Sequence, residues 1–179
     1  MDINELAIKI YQKSHIIGDF LLRSGQRSNE YFDKYLFESD PKLLIEIIKQ
    51  MKLNIPKETD IIAGLEMGGI PLVTALSIET GIDSVFVRKK AKEYGTCKIA
   101  EGSDIKNKKV CIIEDVVTTG GQIIQSVQEL RNKGAIIDTV LCVILRNKEA
   151  IELLKKEDLL LKYVLTMEYI NEIIKERKV

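Results

Sequence analysis

Two adjacent acids, Glu114 and Asp115, precede a run of hydroxyl and glycine residues in the segment VCIIEDVVTTGGQIIQSV, Val110 to Val127. Neighbouring carboxylates repel each other, so the pair needs a partner, and a bound ligand would supply one. The residues that open the predicted helix behind the acids are Thr118, Thr119, Gly120 and Gly121. Hydroxyls, unpaired helix N–H groups and glycines that permit close backbone approach suit a phosphate. Because the acids can accept hydrogen bonds from sugar hydroxyls, the segment predicts a site for a phosphorylated sugar.

Residues 118–121, here called the Thr–Gly loop, differ from the two common nucleotide-binding loops. The chain has no GxxxxGK[ST], and neither GLEMGG at 64–69 nor the Thr–Gly loop spells GxGxxG. Taken alone, several features have simpler interpretations: one acid could cap the next helix, and RKKAK at 88–92 is typical of a solvated charged surface. His15 is interpreted as a surface or helix-end residue rather than a catalyst. The chemical prediction therefore rests on the combination of motifs.

Two N-terminal helices have clear start signals. Asp2, with Glu5 three residues later, predicts a lid or flank helix whose apolar side is Leu6, Ala7, Ile10 and Tyr11. A second helix is predicted after Asp40, which can cap it, because Pro41 suits the first helical position. Its apolar residues recur at helical spacing: Leu43, Leu44, Ile47, Ile48 and Met51.

The rest of the chain alternates β-branched runs with amphipathic segments, and the final run is AIIDTVLCVIL at 135–145. This alternation predicts an α/β fold with an open, mostly parallel sheet flanked by helices on both faces. Ligands of such sheets bind beyond the carboxyl ends of the strands, where the acid pair is expected. The absence of linkers and repeats indicates one domain over 1–179.

Composition limits the possible partners and location. The chain has 27 Lys and Arg against 27 Asp and Glu, so no overall positive field favours nucleic acid. The three cysteines, Cys97, Cys111 and Cys142, are odd in number and not in zinc-ligand spacing, which favours free thiols in a reducing cytoplasm. No apolar run approaches the length of a membrane span.

The motifs together resemble the orotate phosphoribosyltransferase family, a branch of the type I phosphoribosyltransferases. VCIIEDVVTTGGQI is similar to the family's phosphoribosyl pyrophosphate signature. Further similar segments are FLLRSGQRSNEYFD, GLEMGGIPLVTALS, VRKKAKEYG and ILRNKEA, so the resemblance extends from Phe20 to about Ala150. It implies transfer of a phosphoribosyl group from phosphoribosyl pyrophosphate to orotate, with Mg²⁺ held mainly by the donor and water and no metal-ligating side chain. It also implies the type I fold, with residues 1–40 and the C-terminal segment forming a small hood over the site.

The resemblance gives each motif a role. The catalytic residues would be Lys92, Glu114 and Asp115, with the two acids holding the ribose hydroxyls. The pyrophosphate would be held by Arg88, Lys89, Lys92, Tyr94, Gly68 and Gly69. Thr118, Thr119, Gly120 and Gly121 would hold the phosphate on the sugar. The base pocket would contain Arg146, which suits a carboxylate, with Tyr31 and Phe32 as an apolar wall and Arg23 near donor and base.

The chain departs from the family pattern around the base. Leu145 stands where an Asp is common, Ala150 where a Gly is common, and Glu30 where an aromatic residue is frequent. Two alternatives therefore stay open: a phosphoribosyltransferase for another base such as a purine, and a non-catalytic regulator that senses the donor. The resemblance further implies a homodimer with shared sites, in which the basic loop at 88–102 orders over the donor and reaches the neighbouring site.

Overall fold

The predicted caps start both N-terminal helices in the computed structural model, which describes residues 1–22, 25–89 and 99–177. The Asp2 carboxylate accepts a hydrogen bond from Glu5 N at the start of α1 (Ile3–Ser14). A hairpin follows, made of the antiparallel strands β1 (His15–Leu21) and β2 (Arg27–Phe32), and then the short helix α2 (Lys34–Glu38). Asp40 accepts hydrogen bonds from Lys42 N and Leu43 N at the start of α3 (Pro41–Lys52). Both predicted helices are confirmed, whereas the hairpin and α2 were not predicted.

Six further strands form the main sheet. They are β3 (Ile61–Leu65), β4 (Asp83–Val87), β5 (Ala100–Gly102), β6 (Lys109–Val117), β7 (Ile136–Leu145) and β8 (Leu160–Thr166). Their order is β5-β4-β3-β6-β7-β8, and every neighbouring pair is parallel except β4 with β5, which is antiparallel. The predicted open, mostly parallel sheet is therefore confirmed.

The interpretation of β7 as the final strand was wrong, because β8 adds a parallel strand at the edge. In the sheet, Leu161 and Leu165 are buried while Leu160 and Tyr163 are partly exposed. A half-exposed edge strand gives a weaker apolar signal than the central strands β3 and β7, so it was harder to recognise.

Helices cover both faces of the sheet. After β3 comes α4 (Gly69–Thr80), after β6 comes α5 (Gly121–Asn132), and α6 (Glu149–Lys155) and α7 (Met167–Arg177) flank β8. Side chains of α5 and α6 form one core with the sheet. Side chains of α1, α3, α4 and α7 form the other core, in which the largest fully buried side chain is Phe37 of α2. The sheet is thus held between two layers that leave the carboxyl ends of β6 and β7 to the site.

The two ends of the chain meet on one side of the sheet. Helix α1 contacts α7, and Tyr169 Oη donates a hydrogen bond to Asn4 Oδ1 between them. In the described ranges, no helix combines the length and apolarity needed to cross a membrane.

Candidate functional site

Glu114 and Asp115 lie near the carboxyl end of β6, which continues for two residues beyond them. Successive side chains of a strand point to opposite faces, so the two carboxyl groups do not lie side by side. Asp115 is fully buried, and Glu114 is partly buried. The predicted repulsion is therefore reduced by geometry as well as by a partner, and that partner comes from another element.

Lys34, at the start of α2, is the partner of Asp115. Its Nζ lies 2.5 Å from Asp115 Oδ2, and Val116 N donates to Asp115 Oδ1. Burial favours the neutral amine of Lys34, but the hydrogen bond and charge of Asp115 outweigh it and raise the pKa of Lys34. The motifs did not reveal Lys34, because contacts between α2 and β6 depend on the fold.

Gly68 lies against the same carboxylate. A Cβ atom on Gly68 would stand 1.4 Å from Asp115 Oδ2, and a Cβ atom on Gly69 would stand 2.5 Å from the Ile113 carbonyl oxygen. Both positions therefore require glycine because the chain's own atoms approach so closely. Contact between these glycines and pyrophosphate stays a prediction. The structure brings the backbone of Gly68 directly against Asp115.

A third acid, Glu38 of α2, joins this cluster. Glu38 is 5% exposed, and burial followed by the negative charge of Asp115 raises its pKa to about 9. Burial and then Asp115 also raise the pKa of Glu114 to about 8, while Lys34 and Lys89 oppose that shift. The only sequence signal for the α2 residues is their spacing of four, which puts Lys34 and Glu38 on one side of a helix.

The Thr–Gly loop begins directly after β6. Thr118 and Thr119 are exposed, and Gly120 has φ +80° at the N-cap of α5. No side chain of the cap residue satisfies the first N–H groups of this helix. The predicted phosphate loop thus has exposed hydroxyls and a helix N-terminus next to the acid pair.

The loop between β3 and α4 is tied to the start of the basic segment. Glu66 N donates to the Val87 carbonyl oxygen, and Lys89 N donates to the Glu66 carboxylate. Arg88 Nε lies 3.4 Å from Glu101 Oε1. The structure therefore places Arg88 and Lys89 beside the 66–69 loop, as their shared predicted role requires.

The predicted base residues meet in a cavity of about 640 Å³. Arg146 Cζ lies 5.9 Å from the centre of the Phe32 ring, and Tyr31 also lines the cavity. Arg146 is exposed, and its backbone N donates to the Val117 carbonyl oxygen at the end of β6. The same cavity is lined by Thr118 of the phosphate loop and by Lys34.

Glu30 has a partner at the wall of this cavity. His15 Nε2 lies 2.8 Å from Glu30 Oε2, so the ring N–H donates to the carboxylate. The His15 ring stacks on Tyr11, with the ring centres 4.6 Å apart and the planes at 14°. The sequence placed His15 at a helix end, where it lies, but did not reveal its pairing with Glu30.

Three predicted site residues, Arg23, Lys92 and Tyr94, lie outside the described residues. So do Cys97 and most of the basic loop, 90–98. Across the described ranges, no group of three or more His, Cys, Asp or Glu side chains is arranged to hold a metal ion.

Known proteins share both the sequence and the fold. The profile of the phosphoribosyl transferase domain matches residues 38–174. The chain is 50% identical over 142 residues to orotate phosphoribosyltransferase of Nocardioides sp. (strain ATCC BAA-499 / JS614), which covers 79% of each chain.

Two solved structures of Mycobacterium tuberculosis H37Rv orotate phosphoribosyltransferase are also similar. The complex with Fe(III) dicitrate has a TM-score of 0.85 and 28% identity, covering 95% of this chain and 99% of that one. The complex with 5-phospho-alpha-D-ribosyl 1-diphosphate has a TM-score of 0.80 and 26% identity, covering 96% and 99%. Because the profile spans most of the sequence and the identity reaches one half, the chain belongs to the phosphoribosyltransferase family, in its orotate phosphoribosyltransferase branch.

Proposed function

We propose that this protein transfers the phosphoribosyl group of phosphoribosyl pyrophosphate to orotate, giving orotidine monophosphate and pyrophosphate for pyrimidine synthesis. The observation that supports this most strongly is the single cavity lined by both Thr118, from the phosphate loop, and Arg146, beside the Phe32 ring. A sugar phosphate held at one side and a planar carboxylate base at the other would have their reacting atoms in between. Such positioning lowers the barrier because the two reactants need no further search for alignment.

The reaction breaks the bond between the anomeric carbon and pyrophosphate and forms a bond from that carbon to a ring nitrogen of orotate. Positive charge develops on the sugar and negative charge on the leaving group, so opposite charges are needed on the two sides. In this proposal Asp115 and Glu114 accept hydrogen bonds from the ribose hydroxyls. Pyrophosphate is held by the 68–69 backbone, Arg88 and Lys89, and, by family resemblance, by Lys92 and Tyr94.

Two sets of residues complete the proposed site, one for the phosphate on the sugar and one for the base. The phosphate on the sugar is bound by the four residues Thr118, Thr119, Gly120 and Gly121, at the N-terminus of α5. Orotate lies between Phe32 and Arg146, with Tyr31 on the wall and Arg23 near donor and base. A guanidinium can bind the orotate carboxylate with two parallel hydrogen bonds, which a neutral base such as uracil cannot accept in that way.

Magnesium enters this proposal as a companion of the donor. Mg²⁺ keeps several water ligands and is commonly bound through substrate phosphates. When bound, the ion would neutralise charge on the leaving pyrophosphate. No side chain is assigned to it.

The experiment that tests the function combines purified protein with phosphoribosyl pyrophosphate, Mg²⁺ and orotate. Orotidine monophosphate and pyrophosphate should form in equal amounts, and omission of either substrate should abolish both products. Donor binding without any product from orotate or another base would instead favour the regulator, and use of a purine would favour the other alternative. The unpaired, buried Cys111 and Cys142 support a reducing, cytoplasmic location for this activity.

The His15–Glu30 pair gives a prediction about the base. We expect His15→Phe, which keeps a ring to stack on Tyr11 but cannot donate, to raise the KM for orotate about two- to fivefold, since an interaction between charges at an exposed site is worth roughly 0.2–1 kcal/mol. The reason is that Glu30, without its donor, repels the anionic base more strongly. Steady-state kinetics with orotate as the varied substrate measures the change.

The double variant is the control for this effect. Glu30→Gln removes the charge, so His15→Phe combined with Glu30→Gln should restore the KM for orotate to near the wild-type value. If the double variant is as impaired as His15→Phe alone, the effect comes from altered packing on Tyr11 and the electrostatic explanation is wrong.

We also propose a homodimer in which the basic loop of one subunit serves the site of the other. The test mixes two impaired variants, Lys92→Ala and Asp115→Asn, and allows their subunits to exchange. With shared sites, each mixed dimer has one site with both changes and one with neither, so activity should return toward half the wild-type value per mixed dimer. If every site carries one change, no activity returns and the crossing loop is rejected, while its role toward pyrophosphate is unaffected.

A further inference from the structure

Helix α2 brings a buried acid, Glu38, to the back of the acid pair, where the proposed reaction has no use for it. Its side chain is 5% exposed. As an ionised carboxylate it could only accept hydrogen bonds, and neither of its oxygens has a donor in reach within the described residues. Buried polar groups are normally paired, so an unpaired charge at this place needs a reason.

Charged groups from two elements face Glu38. They are Asp115 and Glu114 on β6 and Lys34 on its own helix. With all groups ionised, three negative charges would lie around the positive charge of Lys34, in a region largely shielded from water. Two close carboxyl groups relieve such repulsion by sharing a proton, which turns one of them into a hydrogen-bond donor.

We propose that Glu38 is a positioning residue for Asp115: it remains a neutral carboxylic acid that donates a hydrogen bond to the Asp115 carboxylate, opposite the contact from Lys34. Asp115 is then held from two sides by α2 and keeps its negative charge for the ligand. Lys34 also lines the cavity proposed to hold the ligand. The inference rests on the proposed function, because it takes ribose hydroxyls as the ligand of Asp115.

Several observations support the neutral form. Gly68 leaves Asp115 no room on the side of α4, so the carboxylate is confined between that backbone and α2. Lys34 Nζ lies 2.5 Å from Asp115 Oδ2, whereas neither Glu38 oxygen has a hydrogen-bond partner among the described residues. Burial and then Asp115 raise the pKa of Glu38 to about 9, so it holds its proton at neutral pH.

The sign of the pH effect follows from this shift. In the unfolded chain Glu38 ionises near its ordinary pKa of 4.5, whereas in the folded protein it ionises near 9. Stability from the protonated form is therefore fully present below about pH 4.5 and is lost as the pH rises toward 9. Above that pH, ionised Glu38 should repel Asp115 and disturb donor binding.

The kinetic test compares Glu38→Gln with Glu38→Met. Glutamine keeps a neutral donor of the same length, so the KM for phosphoribosyl pyrophosphate at pH 7.5 should stay within about twofold of wild type. Methionine keeps the volume but cannot donate, so that KM should rise about fivefold or more. Above about pH 9 the wild-type KM for the donor should rise. The ratio of the wild-type KM to the KM of Glu38→Gln should rise with it. Equal donor KM values for Met and Gln, or parallel pH profiles, would overturn the proposal.

A stability test needs no activity and so separates this inference from the proposed function. The melting temperature of Glu38→Gln relative to wild type should increase as the pH is raised from about 5 to about 9.

Glu46→Gln is the matched control, because hydrogen bonds from Lys49 and the N-terminus lower the pKa of Glu46. That control should lose stability at neutral pH and approach wild type in acid. If Glu38→Gln shows no pH-dependent gain, Glu38 is not a buried neutral acid, even if orotate transfer is confirmed; if orotate is not a substrate, the melting result stands alone.

Discussion

Asp115→Asn is expected to lower kcat/KM for phosphoribosyl pyrophosphate by roughly 10- to 150-fold, because the loss of a hydrogen bond to a charged group costs about 1.5–3 kcal/mol. Asparagine has the same shape, so the change removes charge from the β6 strand without creating a cavity. The fully buried side chain also loses its ion pair with Lys34, which is partly exposed and can turn toward water. Steady-state kinetics and direct donor binding measure the effect.

A matched control makes the same chemical change elsewhere in the sheet. Asp138 lies on β7, near the end opposite the site, and is exposed. Asp138→Asn should leave donor binding and turnover unchanged, while circular dichroism of both variants should match wild type. Wild-type donor affinity and activity in a folded Asp115→Asn protein would remove Asp115 from the ribose site.

Arg146→Ala is expected to raise the KM for orotate by roughly 10- to 100-fold while changing the KM for the donor much less. The guanidinium lies over Phe32 at the wall of the cavity, and hydrogen bonds between charged groups are worth about 1.5–3 kcal/mol. Because only orotate carries the ring carboxylate, the loss should fall on one substrate.

The control for this variant is Lys148→Ala, two residues further along the chain. Lys148 forms an exposed ion pair with Glu168 on α7, and such pairs contribute little. Its removal should leave both KM values near wild type. An equal rise of the two KM values in Arg146→Ala would mean that Arg146 shapes the whole site rather than binding the base.

Local sequence signals were sufficient for much of the fold. Asp2 and Asp40 were predicted to cap helices, and both side chains accept hydrogen bonds from the first helical turn. The parallel sheet was predicted from apolar runs such as those of β3 and β7, and both strands are buried over nearly their full length. These signals work because caps and periodicity depend on residues close together in the chain.

Features that depend on distant residues were missed. Lys34 and Glu38 are charged residues of a five-residue helix, and only the fold brings them to Asp115, about 80 positions later. Likewise Gly68 could be assigned to a loop from sequence, but its contact with Asp115 Oδ2 could not. The acids themselves were predictable because adjacent carboxylates before a Thr–Gly loop are an unusual local pattern.

We propose that one cavity joins a phosphoribosyl site to a base site that requires a carboxylate. The most direct measurement is kcat/KM of the wild-type protein for orotate and for uracil, each with phosphoribosyl pyrophosphate and Mg²⁺. The two bases differ by the carboxylate assigned to Arg146, so orotate should be strongly preferred, with orotidine monophosphate and pyrophosphate formed one to one. Comparable kcat/KM values for uracil and orotate, or faster use of a purine, would contradict it.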